Sequence, residues 1–241
     1  MRSRHPAIGR ATTARTHAAA STATAKLAYL KANDLFRDLT PAQLEPFHHT
    51  IQMASCCAGH VFYRPGETGE AMFLLKEGAA QLYRMSADGR KLVLAQVPPS
   101  SMFGEMACIG QAMYDCFAEA VEDSLICTLN RDDVKRLVLQ YPSFALRLLE
   151  TVAARMVEAE RQLEALAFKP VVPRLAELLR REARDGVVEG LSHQDIGERL
   201  GVYRETVTEA LKELKAAGLV EIGRRRIRVL DDARLAEIAD T

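Results

Sequence analysis

The stretch from Leu191 to Val229 constrains this chain more than any other. It reads LSHQDIGERLGVYRETVTEALKELKAAG and runs on into LVEIGRRRIRVL. Ser192 followed three residues later by Asp195 is the signature of a capped helix start, in which each residue's side chain bonds the other's backbone. Ile196 and Leu200 give that helix one apolar face. Gly201 then interrupts the period, as a tight turn between two helices requires. A second helix places Val207, Ala210, Leu211 and Leu214 inward at steps of three and four. Arg204, Glu205, Thr208, Glu209 and Lys212 face outward. Gly218 closes this helix. Val220, Ile222, Ile227 and Val229 alternate around a Gly223–Arg226 turn, which predicts a small β-hairpin.

A short helix, a glycine turn, a polar-faced helix and a basic hairpin describe a winged helix-turn-helix. A helix fits the major groove of DNA, and residues near its start reach base edges. Arg204 can pair bidentately with guanine, Glu205 can accept from a cytosine amino group, and Thr208 and Glu209 continue the same face. Tyr203, Lys212 and the hairpin's Arg224, Arg225, Arg226 and Arg228 suit phosphates, which position a protein without specifying sequence. An ordinary helical pair with a solvated charged face is the competing reading. The Arg-Glu-Thr start, the glycine turn and the arginine hairpin together favour DNA.

Net charge is zero, with 32 basic and 32 acidic side chains. The balance is uneven along the chain: residues 1–33 hold 6 basic and no acidic side chains, whereas residues 170–241 hold 13 and 14. A DNA-facing surface must therefore come from local clustering, as between Arg199 and Arg228, where 8 basic residues face 4 acidic ones. No apolar run approaches the ~20 residues of a membrane span. The Ala/Thr-rich, basic start lacks the apolar centre of a secretory signal and reads as a disordered tail or the product of an upstream start codon; a transit peptide has a similar composition. Five cysteines, an odd number, point away from a disulfide scaffold and towards a reducing cytoplasm.

Residues 25–31 predict a short helix, and Thr40-Pro41 a second one capped by the threonine. From Ile51 to Leu129 the period becomes that of short β runs punctuated by glycine, with Asp88-Gly89 as a hairpin turn. This predicts an antiparallel barrel or sandwich. After Asn130 the helical period returns, with Asp132 and Asp133 in a first turn, where the helix dipole favours acids. Pro142 opens a long helix to about Phe168. On it Leu149, Val152, Met156, Ala159, Leu163 and Leu166 form an a/d seam, which predicts a parallel homodimer; packing against the chain's own barrel is the alternative. A dimer would set two reading helices about one DNA turn (~34 Å) apart on a palindromic duplex site. Lys169-Pro170 and Pro173 mark the hinge that follows.

In this order, the β domain, long helix and terminal winged helix-turn-helix resemble the cAMP receptor protein/FNR (Crp/Fnr) family of bacterial transcription regulators. The resemblance covers about residues 30 to 235 and rests on Gly66-Glu67, Gly78, Asp88-Gly89, Phe103-Gly104-Glu105, Leu166-Ala167-Phe168, Ile196-Gly197 and Arg204-Glu205-Thr206-Val207. It implies an α+β fold: an N-terminal double-stranded β-helix (a cyclic-nucleotide-binding-like β-roll), a dimerisation helix and the DNA-binding domain. The expected division is a disordered basic tail over 1–25, the sensor roll over 26–140, the dimer helix over 141–169 and the winged domain over 170–241. RNA polymerase is the further partner implied.

Departures from the family pattern bear on the effector. Its cAMP-binding members place an Arg-Ser pair on the phosphate and a Thr-Ser pair on the adenine. This chain keeps Gly104-Glu105 but carries Tyr114-Asp115 and Ala159-Glu160 at those two places. Asp115 would repel a cyclic phosphate, with no nearby arginine to replace the fork, so cAMP is not the expected effector. Where the family often places an arginine, this chain has Glu209, so an operator other than the common consensus is expected. Cys127 resembles the roll cysteine that helps hold the FNR-type iron–sulfur cluster, but no cysteine precedes Cys56. Cys56, Cys57, Cys108, Cys116 and Cys127 leave open a cluster or a thiol switch, with Cys108, Cys116 and Cys127 as candidates, against the simpler reading of buried apolar residues. His48-His49 as haem ligands is weaker than a surface role, since adjacent histidines on a helix point apart. No nucleophile–base pair, metal-spaced His/Glu set or P-loop supports an enzyme. A constitutive, ligand-independent DNA binder and a cyclic-nucleotide-responsive signalling module remain as alternatives.

Overall fold

The computed structural model describes residues 23–47, 50–111 and 113–240. Most of the expected basic tail and both His48 and His49 fall outside them. Two helices come first, α1 (Ala23–Ala32) and α2 (Pro41–Leu44). Thr40 caps α2 as anticipated: its hydroxyl accepts from the Gln43 N–H, and the Gln43 side chain accepts from the Thr40 N–H in return.

Eight strands follow: β1 (Gln52–Cys56), β2 (Val61–Tyr63), β3 (Ala71–Glu77), β4 (Ala80–Met85), β5 (Lys91–Val97), β6 (Met102–Phe103), β7 (Phe117–Ala120) and β8 (Ser124–Asn130). They form two four-stranded sheets, ordered β1-β8-β3-β6 and β2-β7-β4-β5. β1 and β8 run antiparallel from Gln52 opposite Thr128 to Cys56 opposite Ser124. Phe62 of β2 lies 5.0 Å from Phe103 and 5.5 Å from Phe73, ring centre to ring centre, so aromatic side chains from one sheet fill the space against the other. The Asp88-Gly89 hairpin is present. Gly89 takes φ +84°, Ser86 N–H bonds Arg90 O at 2.8 Å, and Asp88 pairs with Arg90 at 2.9 Å.

Helix α3 (Arg131–Gln140) starts from Asn130, whose side chain accepts from the Asp133 N–H at 2.8 Å. Helix α4 (Pro142–Phe168) is the long helix read from the seam. Helix α5 (Val171–Glu182) follows after only Lys169 and Pro170. Pro173 does not extend the hinge. It lies buried in the first turn of α5, where a missing N–H removes no helical bond. Glu177 of α5 sits between Arg161 and Lys169 and ties the junction; Lys169 also donates to Ala239 O at 2.7 Å.

The chain divides into two units by internal contacts: 1–80, 97–115 and 119–144 in one, and 81–96, 116–118 and 145–241 in the other. The second continues with β9 (Val187–Glu189), α6 (His193–Leu200), α7 (Arg204–Ala216), β10 (Val220–Gly223), β11 (Arg226–Val229) and α8 (Asp232–Ala239). Its core gathers Leu175, Leu179, Ile196, Val207, Leu211 and Ile227, each at most 2% exposed. Strand β9 and helix α8 have no counterpart in the sequence reading. β9 turns the predicted two-stranded hairpin into a three-stranded sheet, β10-β11-β9.

Candidate nucleic-acid interface

Helix α6 begins as the sequence requires. Ser192 Oγ accepts from Asp195 N–H at 3.2 Å, and Asp195 Oδ2 accepts from Ser192 N–H at 2.7 Å. The helix ends at Gly201, which adopts φ +67° and so turns the chain without the clash a side chain would meet. The N–H groups of Gly201 and Val202 both bond Gly197 O. Gly197 itself makes the sharp turn possible. A Cβ there would lie 2.8 Å from Val202 O and 3.5 Å from Arg204 N. Arg174 of α5 donates to Leu200 O at 2.9 Å and satisfies a carbonyl at the end of α6; burial pulls its pKa down.

Helix α7 follows Tyr203 at its N-cap position, and the Tyr203 side chain makes no capping hydrogen bond. Val207, Ala210, Leu211 and Leu214 are buried against the core. Arg204, Glu205, Glu209 and Lys212 are exposed as the sequence specified, and Thr206, which the sequence reading did not place on that face, is exposed as well. Several of these groups already have partners. Glu209 and Lys212 pair at 2.8 Å, both well exposed. The Arg90 guanidinium stacks 4.9 Å over the Tyr203 ring within the same unit. Thr208 is half-buried; its hydroxyl donates to Arg204 O at 3.0 Å and lies 2.9 Å from His193 Nδ1. His193 was not singled out from sequence, because fifteen residues and a helix crossing separate it from Thr208.

The wing has the expected register, Val220 opposite Val229 and Ile222 opposite Ile227. Its cationic reach is smaller than four arginines suggest. Arg225 donates to Gly190 O at 2.9 Å and lies 3.6 Å from Asp195. Arg226 faces Glu189 at 3.5 Å, and Arg228 faces Glu221 at 3.7 Å. Arg224, at the tip of the turn, is exposed. Exposed ion pairs of this kind are worth about 0–1 kcal/mol, so a phosphate can displace them.

The long-helix seam is turned to solvent in the single chain. Leu149 and Met156 are each 63% exposed, Leu163 67% and Leu166 49%; Ala159 is exposed and Val152 half-buried.

Of the effector-pocket candidates, Gly104, Glu105 and Tyr114 lie together in the roll. Gly104 takes φ +81°, with Ala71 O, the Phe73 ring and the Tyr114 ring all within 3.4 Å of where a Cβ would be. Glu105 is buried. Tyr114 is buried too, stacked on Tyr63 at 3.8 Å, and its hydroxyl donates to Ala71 O at 2.8 Å and accepts from Ala71 N–H at 3.3 Å. Burial, partly offset by the Ala71 bond, pushes its pKa up to about 12. Asp115 is exposed, and Ala159 and Glu160 are exposed on α4. Arg131 is close enough to Cys108 to favour its thiolate electrostatically.

The cysteines do not converge. Among the described residues no group of three or more His, Cys, Asp or Glu side chains is arranged to hold a metal ion. Cys108, Cys116 and Cys127 are each buried. Burial pushes the Cys108 thiol up to about 11, the opposite of the low-pKa environment a reactive thiol needs.

Residues 53–141 match the cyclic nucleotide-binding domain family, and residues 173–238 match the Crp-like helix-turn-helix domain family. The chain is 30% identical over 212 residues to a cyclic AMP receptor protein of Thermus thermophilus, covering 87% of this chain and 98% of that protein. It is 27% identical to a global nitrogen regulator of Synechococcus elongatus, covering 84% and 94%. Among solved structures it is similar to FixK2 from Bradyrhizobium japonicum, with a TM-score of 0.68, 26% identity and coverage of 78% and 96%. It is equally similar to a CRP/FNR-family transcriptional regulator of Thermus thermophilus, with a TM-score of 0.68, 28% identity and coverage of 79% and 99%.

Proposed function

This chain belongs to the Crp/Fnr family of transcription regulators, and on that premise we propose that it acts as a homodimer on a palindromic duplex. Each subunit reads one half-site with Arg204, Glu205, Thr208 and Glu209 of α7. Tyr203, Lys212 and the wing arginines hold phosphates, and RNA polymerase is the partner the bound dimer meets. The observation that carries the dimer is the apolar stripe of α4, where Leu149, Met156 and Leu163 stand more than three-fifths exposed at intervals of about two turns. Monomers rarely leave so continuous an apolar strip in water, and a second copy of the same helix covers it with matching side chains.

The sensor roll responds to an effector other than cAMP. Two cAMP-named relatives argue for the nucleotide. Against it stands Tyr114, whose ring fills the space beside Gly104 and whose hydroxyl is bound to Ala71, with the carboxylate of Asp115 next to it. Neither side chain offers a cation to a phosphate. The buried, high-pKa Cys108 also speaks against a thiol switch at that residue.

Sedimentation and gel-shift assays test the first part. A dimer that prefers one palindromic site is expected, and a monomer at micromolar concentration refutes it. Calorimetry with cAMP tests the second, and micromolar binding refutes it. Binding of the site unchanged by air, its absence or any metabolite would instead favour a constitutive regulator.

A further inference from the structure

A threonine on a DNA-facing helix can address a base in two ways: by its hydroxyl or by its methyl group. The hydroxyl carries one proton and two lone pairs. In Thr208 that proton has two possible takers inside the protein, Arg204 O at 3.0 Å and, in the tautomer that leaves it unprotonated, His193 Nδ1 at 2.9 Å. Whichever takes it, no hydrogen-bond donor is left for a base. When it goes to Arg204 O, His193 Nδ1–H in turn occupies one of the lone pairs. His193 is the first residue of α6 and Thr208 the fifth of α7, so this contact exists only because the tight turn crosses the two helices.

We infer that Thr208 reads its base pair through its methyl group, against the 5-methyl of a thymine, and that His193 is the positioning residue that holds the hydroxyl back. This rests on the assignment of α7 as the reading helix. Thr208 stands one helical turn beyond Arg204 on the same face, so the thymine belongs within the same half-site. An apolar contact of this kind distinguishes thymine from cytosine, which lacks the methyl, without a hydrogen bond.

Full-length protein is first used to select its preferred duplex from a random pool. Each thymine of that duplex is then replaced in turn by deoxyuridine, which removes the methyl and nothing else. One position per half-site is expected to weaken binding by about fourfold, the weight of one buried methyl-sized group. Thr208→Ser keeps the hydroxyl and loses the methyl, and is expected to bind the thymine and uracil duplexes equally. Thr208→Val keeps a methyl and loses the hydroxyl, and is expected to keep the thymine-to-uracil ratio whatever its overall affinity. His193→Ala should lower the ratio, and His193→Asn, which returns a nitrogen near the Nδ1 position, should restore it. A ratio of one at every position in the wild-type protein overturns the inference. So does a ratio that survives Thr208→Ser or vanishes in Thr208→Val. Wild-type protein that does not distinguish the selected duplex from a scrambled one would instead remove the base-reading role of α7 itself.

Discussion

Replacing Gly197 by alanine tests whether the turn between α6 and α7 is set by close backbone approach. The added methyl would lie 2.8 Å from Val202 O, about half an ångström inside an ordinary non-bonded contact. That oxygen cannot swing away alone, because the Val202 N–H is bonded to Gly197 O at 3.0 Å and the chain passes directly into the start of α7. Overpacking of this kind costs about 1–3 kcal/mol. Alanine returns up to about 1 kcal/mol as the better helix former. A net loss of about 1 kcal/mol is expected, which lowers the melting temperature by about 2–4 °C for a chain of this size. The larger effect falls on DNA. The backbone must retreat where Arg204 N is already 3.5 Å from the new carbon, and bidentate base contacts tolerate only about 0.5 Å of misplacement. Specific binding is expected to fall about 5- to 30-fold, a loss of roughly 1–2 kcal/mol, with binding to random duplex unchanged. Calorimetric melting and gel shifts on both duplexes measure this. A variant that melts at or above the wild-type temperature with undiminished operator preference would refute the reasoning.

Arg204→Ala should lose about 1–3 kcal/mol of discrimination between operator and random DNA, read by competition gel shift. Leu163→Glu places a charge in the α4 stripe and should shift the protein towards monomer in sedimentation, with operator affinity lost in parallel. At Glu177, burial raises the carboxyl pKa, but the hydrogen bond from Arg161 and the charges of Arg161 and Lys169 outweigh it and hold the group below the usual range. A depressed folded-state pKa contributes stability above the unfolded value and loses it as pH falls through the folded one. Wild-type protein should therefore melt above Glu177→Gln near neutral pH, and the gap should close as the pH drops into and below the carboxylate range; a pH-independent gap would contradict the ion-pair hub. Alkylation by iodoacetamide should label the exposed Cys57 quickly and the buried, high-pKa Cys108 only on unfolding, as peptide mass spectrometry would show.

What could be read from sequence was what depends on near neighbours in the chain. The Ser192/Asp195 box, the left-handed Gly201, the Asp88-Gly89 hairpin, the wing register and the α4 stripe each follow from spacings of two, three or four residues. Backbone geometry converts such spacings directly into faces and turns. β9 and α8 were missed because each is short and takes its place in the fold from partners far away in sequence: β9 joins the sheet through Arg226, Ile227 and Arg228, and α8 packs on α5.

The sequence by itself determined the order of the parts and most of the residues that face outward on α7, because periodicity and capping act within a single element. Only the tertiary structure decided what those residues have left to offer. Three wing arginines face carboxylates of their own domain, Glu209 faces Lys212, Thr208 turns its hydroxyl to His193 and Arg204, and Tyr114 closes on Ala71. Several of these pairings join separate elements, and all depend on side-chain orientation, which residue spacing alone does not supply.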